Sequence, residues 1–119
     1  MMASSSDFPV TIPFDPLIGI QRGITRSEKG REPKSGPEEA LWPEERVTLE
    51  QMIESFTYNG AYANFEEKQT GSLAAGKQAD LTILDRNLFE IPIEEIDEVK
   101  VLATLVDGEF AYREASFSA

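Results

Sequence analysis

The dipeptide Asp107-Gly108 places the strongest constraint on the fold, because two strand-like runs, VKVLATLV and EFAYR, flank it. An Asp-Gly pair between such runs predicts a β-hairpin with a two-residue turn. Counting outward from the turn gives three cross-strand pairs: Val106 with Glu109, Leu105 with Phe110, and Ala103 with Tyr112. Because cross-strand partners share a face, this count predicts an apolar sheet surface. Its members are Val99, Val101, Ala103, Leu105, Phe110 and Tyr112.

A helix is predicted to begin after Thr48. Thr48 and Gln51 have the spacing of a capping box, in which each side chain bonds the backbone amide of the other residue. Apolar residues follow at helical spacing: Leu49, Met52, Ile53 and Phe56. The pattern predicts a helix from residue 49 to about residue 58. Gly60 then predicts either a kink or the start of a second short helix.

Another short helix is predicted near the beginning of the chain. Asp15 suits the N-cap position and Pro16 suits the first helical turn. Gly19 and Gly23 lower the helix propensity of the segment that follows. We therefore expect a weak helix here.

The rest of the chain predicts loops and a small sheet. Residues 1–14 and 27–46 combine prolines, glycines and charges and predict irregular structure, the second as a long flexible loop. Residues 81–84 predict a strand, and residues 93–98 predict one acidic helical turn. Together the elements predict an α+β fold in which the helix after Thr48 packs on a small sheet.

Composition restricts the chemistry available to this chain. It contains no histidine and no cysteine, so a metal could be held only through oxygen ligands, which favour calcium or magnesium. The sequence has 22 acidic against 11 basic residues, a balance that repels nucleic acid and anionic lipid. No apolar run approaches the roughly 20 residues of a membrane helix. We expect a cytoplasmic protein without nucleic-acid or membrane partners.

Residues 71–85, GSLAAGKQADLTILD, resemble the C-terminal signature of the amidohydrolase superfamily. The matching positions are Gly71, Ser72, Leu73, Gly76, Lys77, Ala79, Asp80, Leu81, Leu84 and Asp85. The similarity extends to residues 6–10, 15–26, 43–67 and 101–112, which look like the imidazolonepropionase-like and exoenzyme-regulator-like branch. The resemblance implies the C-terminal fragment of a (β/α)8-barrel protein with a composite β-sandwich.

The same resemblance implies a division of the chain into four parts. Residues 1–26 would end the barrel region, residues 27–46 would form a flexible loop, residues 47–70 would contain the last barrel helix, and residues 71–119 would belong to the β-sandwich. Members of the family act, or are presumed to act, on carbon–nitrogen bonds other than peptide bonds.

Asp7 is the candidate catalytic and metal-facing residue. In Ser6-Asp7-Phe8-Pro9 it matches the family aspartate that follows the eighth barrel strand and accepts a proton from the hydrolytic water. Without the resemblance, Asp7 would be a turn or cap residue. The family's histidines have no counterpart in this chain. The resemblance therefore implies zinc or another divalent metal in the full-length protein and none in this chain alone.

Two functions are compatible with these patterns. One is the C-terminal segment of a metal-dependent hydrolase of cyclic or linear amides, inactive until it is joined to the N-terminal barrel of the full-length protein. The other is a regulatory or protein-interaction module without catalysis, similar to the exoenzyme regulators. The open edge of the hairpin could then form a homo-oligomer.

Four further residues have a structural and a functional interpretation. Trp42 is expected to dock by packing, although it could line a substrate mouth. Tyr58 and Asn59 are expected to pack or cap, and Lys77 to be solvated or paired with a neighbouring acid.

Overall fold

The computed structural model describes residues 1–10, 14–27 and 40–118. Its helices are α1 (Pro16–Thr25), α2 (Leu49–Phe56) and α3 (Tyr58–Ala63), and its strands are β1 (Leu81–Leu84), β2 (Val101–Val106) and β3 (Glu109–Arg113). Two 3₁₀ helices span Pro43–Glu45 and Ile93–Glu98. The predicted α+β class is confirmed. Most of the predicted loop at residues 27–46 lies outside the described residues.

Helix α1 begins as its sequence predicts. The Asp15 carboxylate accepts a hydrogen bond of 2.8 Å from the amide of Leu17, and Pro16 occupies the first turn. The helix ends at Arg26, which has a left-handed φ of 57° and donates its amide to the Arg22 carbonyl. Both ends are thus terminated by local hydrogen bonds.

The capping box of α2 is also confirmed. The Gln51 amide donates to Thr48 Oγ1 over 3.3 Å, and the Thr48 amide donates to Gln51 Oε1 over 2.9 Å. Hydrogen bonds from its own backbone amide and from the Thr48 side chain lower the pKa of the exposed Glu50 carboxyl. At Thr57 the backbone leaves the helical region, with φ −122° and ψ −93°, and α3 starts at Tyr58. The predicted continuation is therefore a second short helix.

Glycines bring α1 and α2 into close contact. A Cβ atom built at Gly19 would lie 2.7 Å from Cζ of Phe56, and one at Gly23 would lie 2.3 Å from Sδ of Met52. Met52 and Phe56 of α2 thus meet α1, and α2 shares the core with the sheet through Leu84 of β1. The glycines that weaken α1 locally are the residues that let its backbone approach α2.

The core lies between α1, α2 and the 3₁₀ helix Ile93–Glu98. Its buried members are Leu17, Ile20, Ile24, Met52, Leu88, Ile96 and Val99. Gln21 is also buried, and its Nε2 donates to the Ile93 carbonyl over 3.1 Å and to Asp97 Oδ1 over 3.0 Å. A buried amide costs little when it is hydrogen-bonded, so Gln21 joins α1 to the acidic turn without destabilising the core.

The three strands form an antiparallel sheet in the order β1-β2-β3. Asp107 and Gly108 have φ values of 52° and 82°, as the two-residue hairpin turn requires. The pairs Val106–Glu109 and Leu105–Phe110 are confirmed. All five residues of β3 are exposed, and its outer side has no neighbouring strand within the described ranges.

Beyond Phe110 the predicted register is wrong. Tyr112 pairs with Thr104, and Arg113 pairs with Ala103, because Ala111 is an extra residue that forms a bulge. Tyr112 therefore leaves the predicted apolar face. Arg113 replaces it there and lies 5.2 Å from the centroid of the Phe110 ring.

Along the described parts of the chain, no helix is long and apolar enough to cross a membrane.

We predict that Gly19→Ala and Gly23→Ala each lower the free energy of unfolding by about 1–3 kcal/mol, because the added methyl group overpacks the contact between α1 and α2. Urea denaturation measures the change. Gly60→Ala is the matched control, since no atom lies within 4 Å of its Cβ position. That variant should gain about 0.5–1 kcal/mol from helix propensity alone. A stabilised Gly23→Ala variant would contradict the close contact.

Candidate functional site

The segment that precedes Asp7 is held on α2 and α3. The Ser4 amide donates to the Ser55 carbonyl over 3.0 Å, and the hydroxyl oxygens of these two serines lie 2.8 Å apart. Asn59 Nδ2 donates to the Met2 carbonyl over 2.8 Å. Ser55 and Asn59 are both buried, with 0% and 6% of their surfaces exposed. Asn59 packs as expected, but its bond to the first residues of the chain has no signal in the sequence.

Asp7 occupies a turn at the end of this segment. Its φ is 54°, its amide donates to Ser5 Oγ over 3.2 Å, and its carbonyl accepts from the Val10 amide over 2.8 Å. The residue is exposed. The next aromatic ring, that of Phe8, packs edge-on against Phe14 at a centroid distance of 5.1 Å. The turn geometry agrees with the structural interpretation of Asp7, and its catalytic role stays a prediction.

The residues present do not fit a complete metal site. Across residues 1–10, 14–27 and 40–118, no three His, Cys, Asp or Glu side chains come together in a group that could hold a metal. Catalytic zinc normally takes three protein ligands, and an exposed aspartate supplies one. Asp7 could serve a metal only as one ligand in a larger set.

Lys77 is predicted to be solvated or paired with a neighbouring acid, but the structure gives it other partners. Its ammonium group donates to the carbonyls of Glu67 and Thr70, the latter over 3.1 Å, and to Ser72 Oγ over 2.7 Å. The nitrogen also lies 5.7 Å from the centroid of the Tyr58 ring. Tyr58 is half-buried beneath this contact. The signature lysine is thus bound by the loop that precedes it.

Trp42 does not pack as expected. The residue is 61% exposed and precedes the 3₁₀ helix Pro43–Glu45 with a left-handed φ of 48°. Two arginines hold this part of the chain near α1 instead: Arg26 Nε donates to the Leu41 carbonyl over 2.9 Å, and Arg46 Nε donates to the Thr25 carbonyl over 3.3 Å. The prediction of a packed tryptophan is therefore wrong.

Residues 1–112 match the model of the Amidohydrolase family. This chain belongs to that family. It is similar to the N-substituted formamide deformylase of Arthrobacter pascens, with 39% identity over 72 residues that cover 60% of this chain and 13% of the relative.

Two other relatives match nearly the whole chain. The putative amidohydrolase YtcJ of Bacillus subtilis is 29% identical over 97% of this chain and 21% of its own length. The protein LONG AFTER FAR-RED 3 of Arabidopsis thaliana is 32% identical over 94% of this chain and 18% of its own length. The chain thus spans about a fifth or less of the curated relatives it matches. No solved structure matches it.

We predict that Asn59→Ala loosens the segment that carries Asp7, because it removes the hydrogen bond to the Met2 carbonyl. The free energy of unfolding should fall by about 1 kcal/mol. Hydrogen exchange of the Ser4 amide should become faster in the same variant. Asn64→Ala is the control, since Asn64 is exposed and its Nδ2 bonds only the nearby Gly60 carbonyl among the contacts described. If the Ser4 amide exchanged at the same rate in both variants, the role of Asn59 in holding this segment would be contradicted.

Proposed function

We propose that this chain is the C-terminal segment of a metal-dependent amidohydrolase that cleaves carbon–nitrogen bonds other than peptide bonds. The match of residues 1–112 to the family carries this proposal. The name of the Arthrobacter relative, a deformylase of N-substituted formamides, supports linear amides as one substrate class. A cytoplasmic location is part of the same proposal.

The catalytic work in this proposal is divided between two parts of one polypeptide. The chain has no histidine, so the N-terminal barrel would supply the ligands of zinc or another divalent metal. Asp7 would be the catalytic residue that this chain contributes. Its carboxylate would accept a proton from the attacking water. The sheet β1-β2-β3 would form part of the composite β-sandwich.

The surface around Asp7 supports a barrel partner at this end of the molecule. Phe8, Val10 and Phe14 are 64%, 80% and 60% exposed. Such a group of large apolar residues beside a polar functional residue is typical of a surface that another part of a protein covers. The bonds of the preceding segment to Ser55 and Asn59 would hold Asp7 at the boundary between the two parts.

The test joins this chain to the Bacillus subtilis relative in place of its matching segment. With zinc, cobalt or manganese supplied, the joined protein should hydrolyse members of a panel of cyclic amides and N-substituted formamides, and this chain alone should hydrolyse none. Asp7→Asn should reduce kcat of the joined protein by about 10²–10⁴-fold, since it removes the proton acceptor.

Asp15→Asn is the matched control for Asp7→Asn. Asp15 lies in the same part of the chain, and asparagine caps a helix about as well as aspartate. The kcat of the joined protein with Asp15→Asn should be unchanged. Full activity of the Asp7→Asn protein would contradict the assignment of Asp7. Hydrolysis by the 119-residue chain alone would contradict the division of the site.

A second candidate function is a regulatory or interaction module that associates through β3. The exposed outer edge of this strand supports it, as do Phe110 and Tyr112, which are 46% and 49% exposed. If this function is correct, light scattering after size exclusion should show a homo-oligomer. Adding a charge at the edge through Ala111→Lys should return it to a monomer. A monomeric wild-type chain would contradict association through β3.

A further inference from the structure

The loop between α3 and β1 surrounds one ammonium group. Lys77 Nζ has three N–H donors, and three oxygens accept from it: the carbonyls of Glu67 and Thr70 and the hydroxyl of Ser72. The face of the Tyr58 ring lies on another side of the nitrogen, at 5.7 Å from the ring centroid. Every donor of the cation is therefore satisfied by the protein, and an aromatic face adds a favourable electrostatic contact.

Backbone hydrogen bonds also hold the loop in this arrangement. The amides of Gln69 and Thr70 both donate to the Glu66 carbonyl, over 2.8 Å and 3.0 Å, and form a tight turn. Gly71 continues the turn with a φ of 79°. A Cβ atom at Gly71 would lie 2.6 Å from Cβ of Ala61, so only glycine allows the loop to lie this close to α3. The amide of Gln78 then closes the loop with a 2.9 Å bond to the Gln69 carbonyl.

We propose that residues 58–72 form a binding site for a primary ammonium group, and that the side chain of Lys77 occupies this site from within the same chain. A lysine that only covered apolar surface would keep its charged end in water. Here the hydration shell is replaced by three oxygens and a ring. The planar guanidinium group of arginine has a different donor geometry and would not match these acceptors.

The same loop also contains a buried carboxylate oxygen. Within the described residues, Oε2 of Glu67 is buried and has no hydrogen-bond partner. This oxygen belongs to the same residue whose carbonyl accepts from Lys77.

The occupied site fastens the sheet to the helices. Directly after Lys77, the Ala79 carbonyl accepts from the Gly108 amide over 3.1 Å, and Asp80 Oδ1 accepts from the Asp107 amide over 2.8 Å. The ammonium group therefore fixes one end of a short segment whose other end holds the hairpin turn. Lys77 acts as a positioning residue for the sheet.

The experiment empties the site and refills it with a small molecule. Lys77→Ala should lower the melting temperature by about 5–10 °C, because the carbonyls lose their donors. Propylammonium has the three carbons and the nitrogen that this substitution removes. At about 100 mM it should restore at least half of the loss through binding to the folded state. Tetramethylammonium, which has no N–H donor, should restore nothing at the same ionic strength.

Two further variants separate this site from general charge effects. Lys68→Ala removes an exposed lysine of the same loop and should leave the melting temperature within about 2 °C of the wild type. Lys77→Met keeps a long side chain at this position without an N–H donor, so the variant should be destabilised and should not respond to propylammonium. A Lys77→Met protein as stable as the wild type would overturn the proposal, as would equal effects of the two amines.

A measurement on the wild-type chain does not depend on the folding of any variant. Acetylation by an amine-reactive reagent, followed by mass spectrometry, should modify Lys68 and Lys100 at least about tenfold faster than Lys77, because the Lys77 nitrogen is hydrogen-bonded to the loop. Equal acetylation rates at the three lysines would show that the Lys77 ammonium is free in solution. That result would overturn the proposal.

Discussion

Two glycines of α1 let the Phe56 ring and the Met52 thioether of α2 lie directly against the α1 backbone. The apolar residues of α1 belong to the same core as Ile96 and Val99, so one helix joins α2 to the region before β2. Helix α2 and its continuation α3 then provide Ser55 and Asn59, which hold the segment before Asp7. The position of Asp7 thus depends on the contact between α1 and α2, although Asp7 is not part of that contact.

Family membership and local geometry give different kinds of information about Asp7. The family match places this aspartate in a chain related to hydrolases, and the structure places it in an exposed turn beside apolar side chains. The chain has no histidine or cysteine to complete a zinc site. A carboxylate on a well-held segment can serve as a proton acceptor only where other groups bring the water and the substrate to it. The hydrolase proposal follows from this combination.

Patterns within a few residues predicted much of the fold. The caps at Asp15 and Thr48, the strand at residues 81–84 and the hairpin turn are confirmed, because the side chain and the backbone group involved are close in sequence. Asp7 was identified as a candidate by its match to a family motif, and no such local pattern predicted it. The Ser4–Ser55 contact, which holds the segment before Asp7, joins residues 51 positions apart, and no local rule predicts a pairing at that separation.

The sequence by itself therefore determined the class of the fold, the helix starts, the hairpin turn and the absence of histidine ligands. The tertiary structure alone decided that α2 packs on α1, that Ala111 forms a bulge, that Trp42 is exposed, and that Lys77 is surrounded by oxygens. The physical reason is the range of the interactions. Caps and turns satisfy backbone groups locally, whereas close packing, register and the solvation of a charge depend on which distant segments meet.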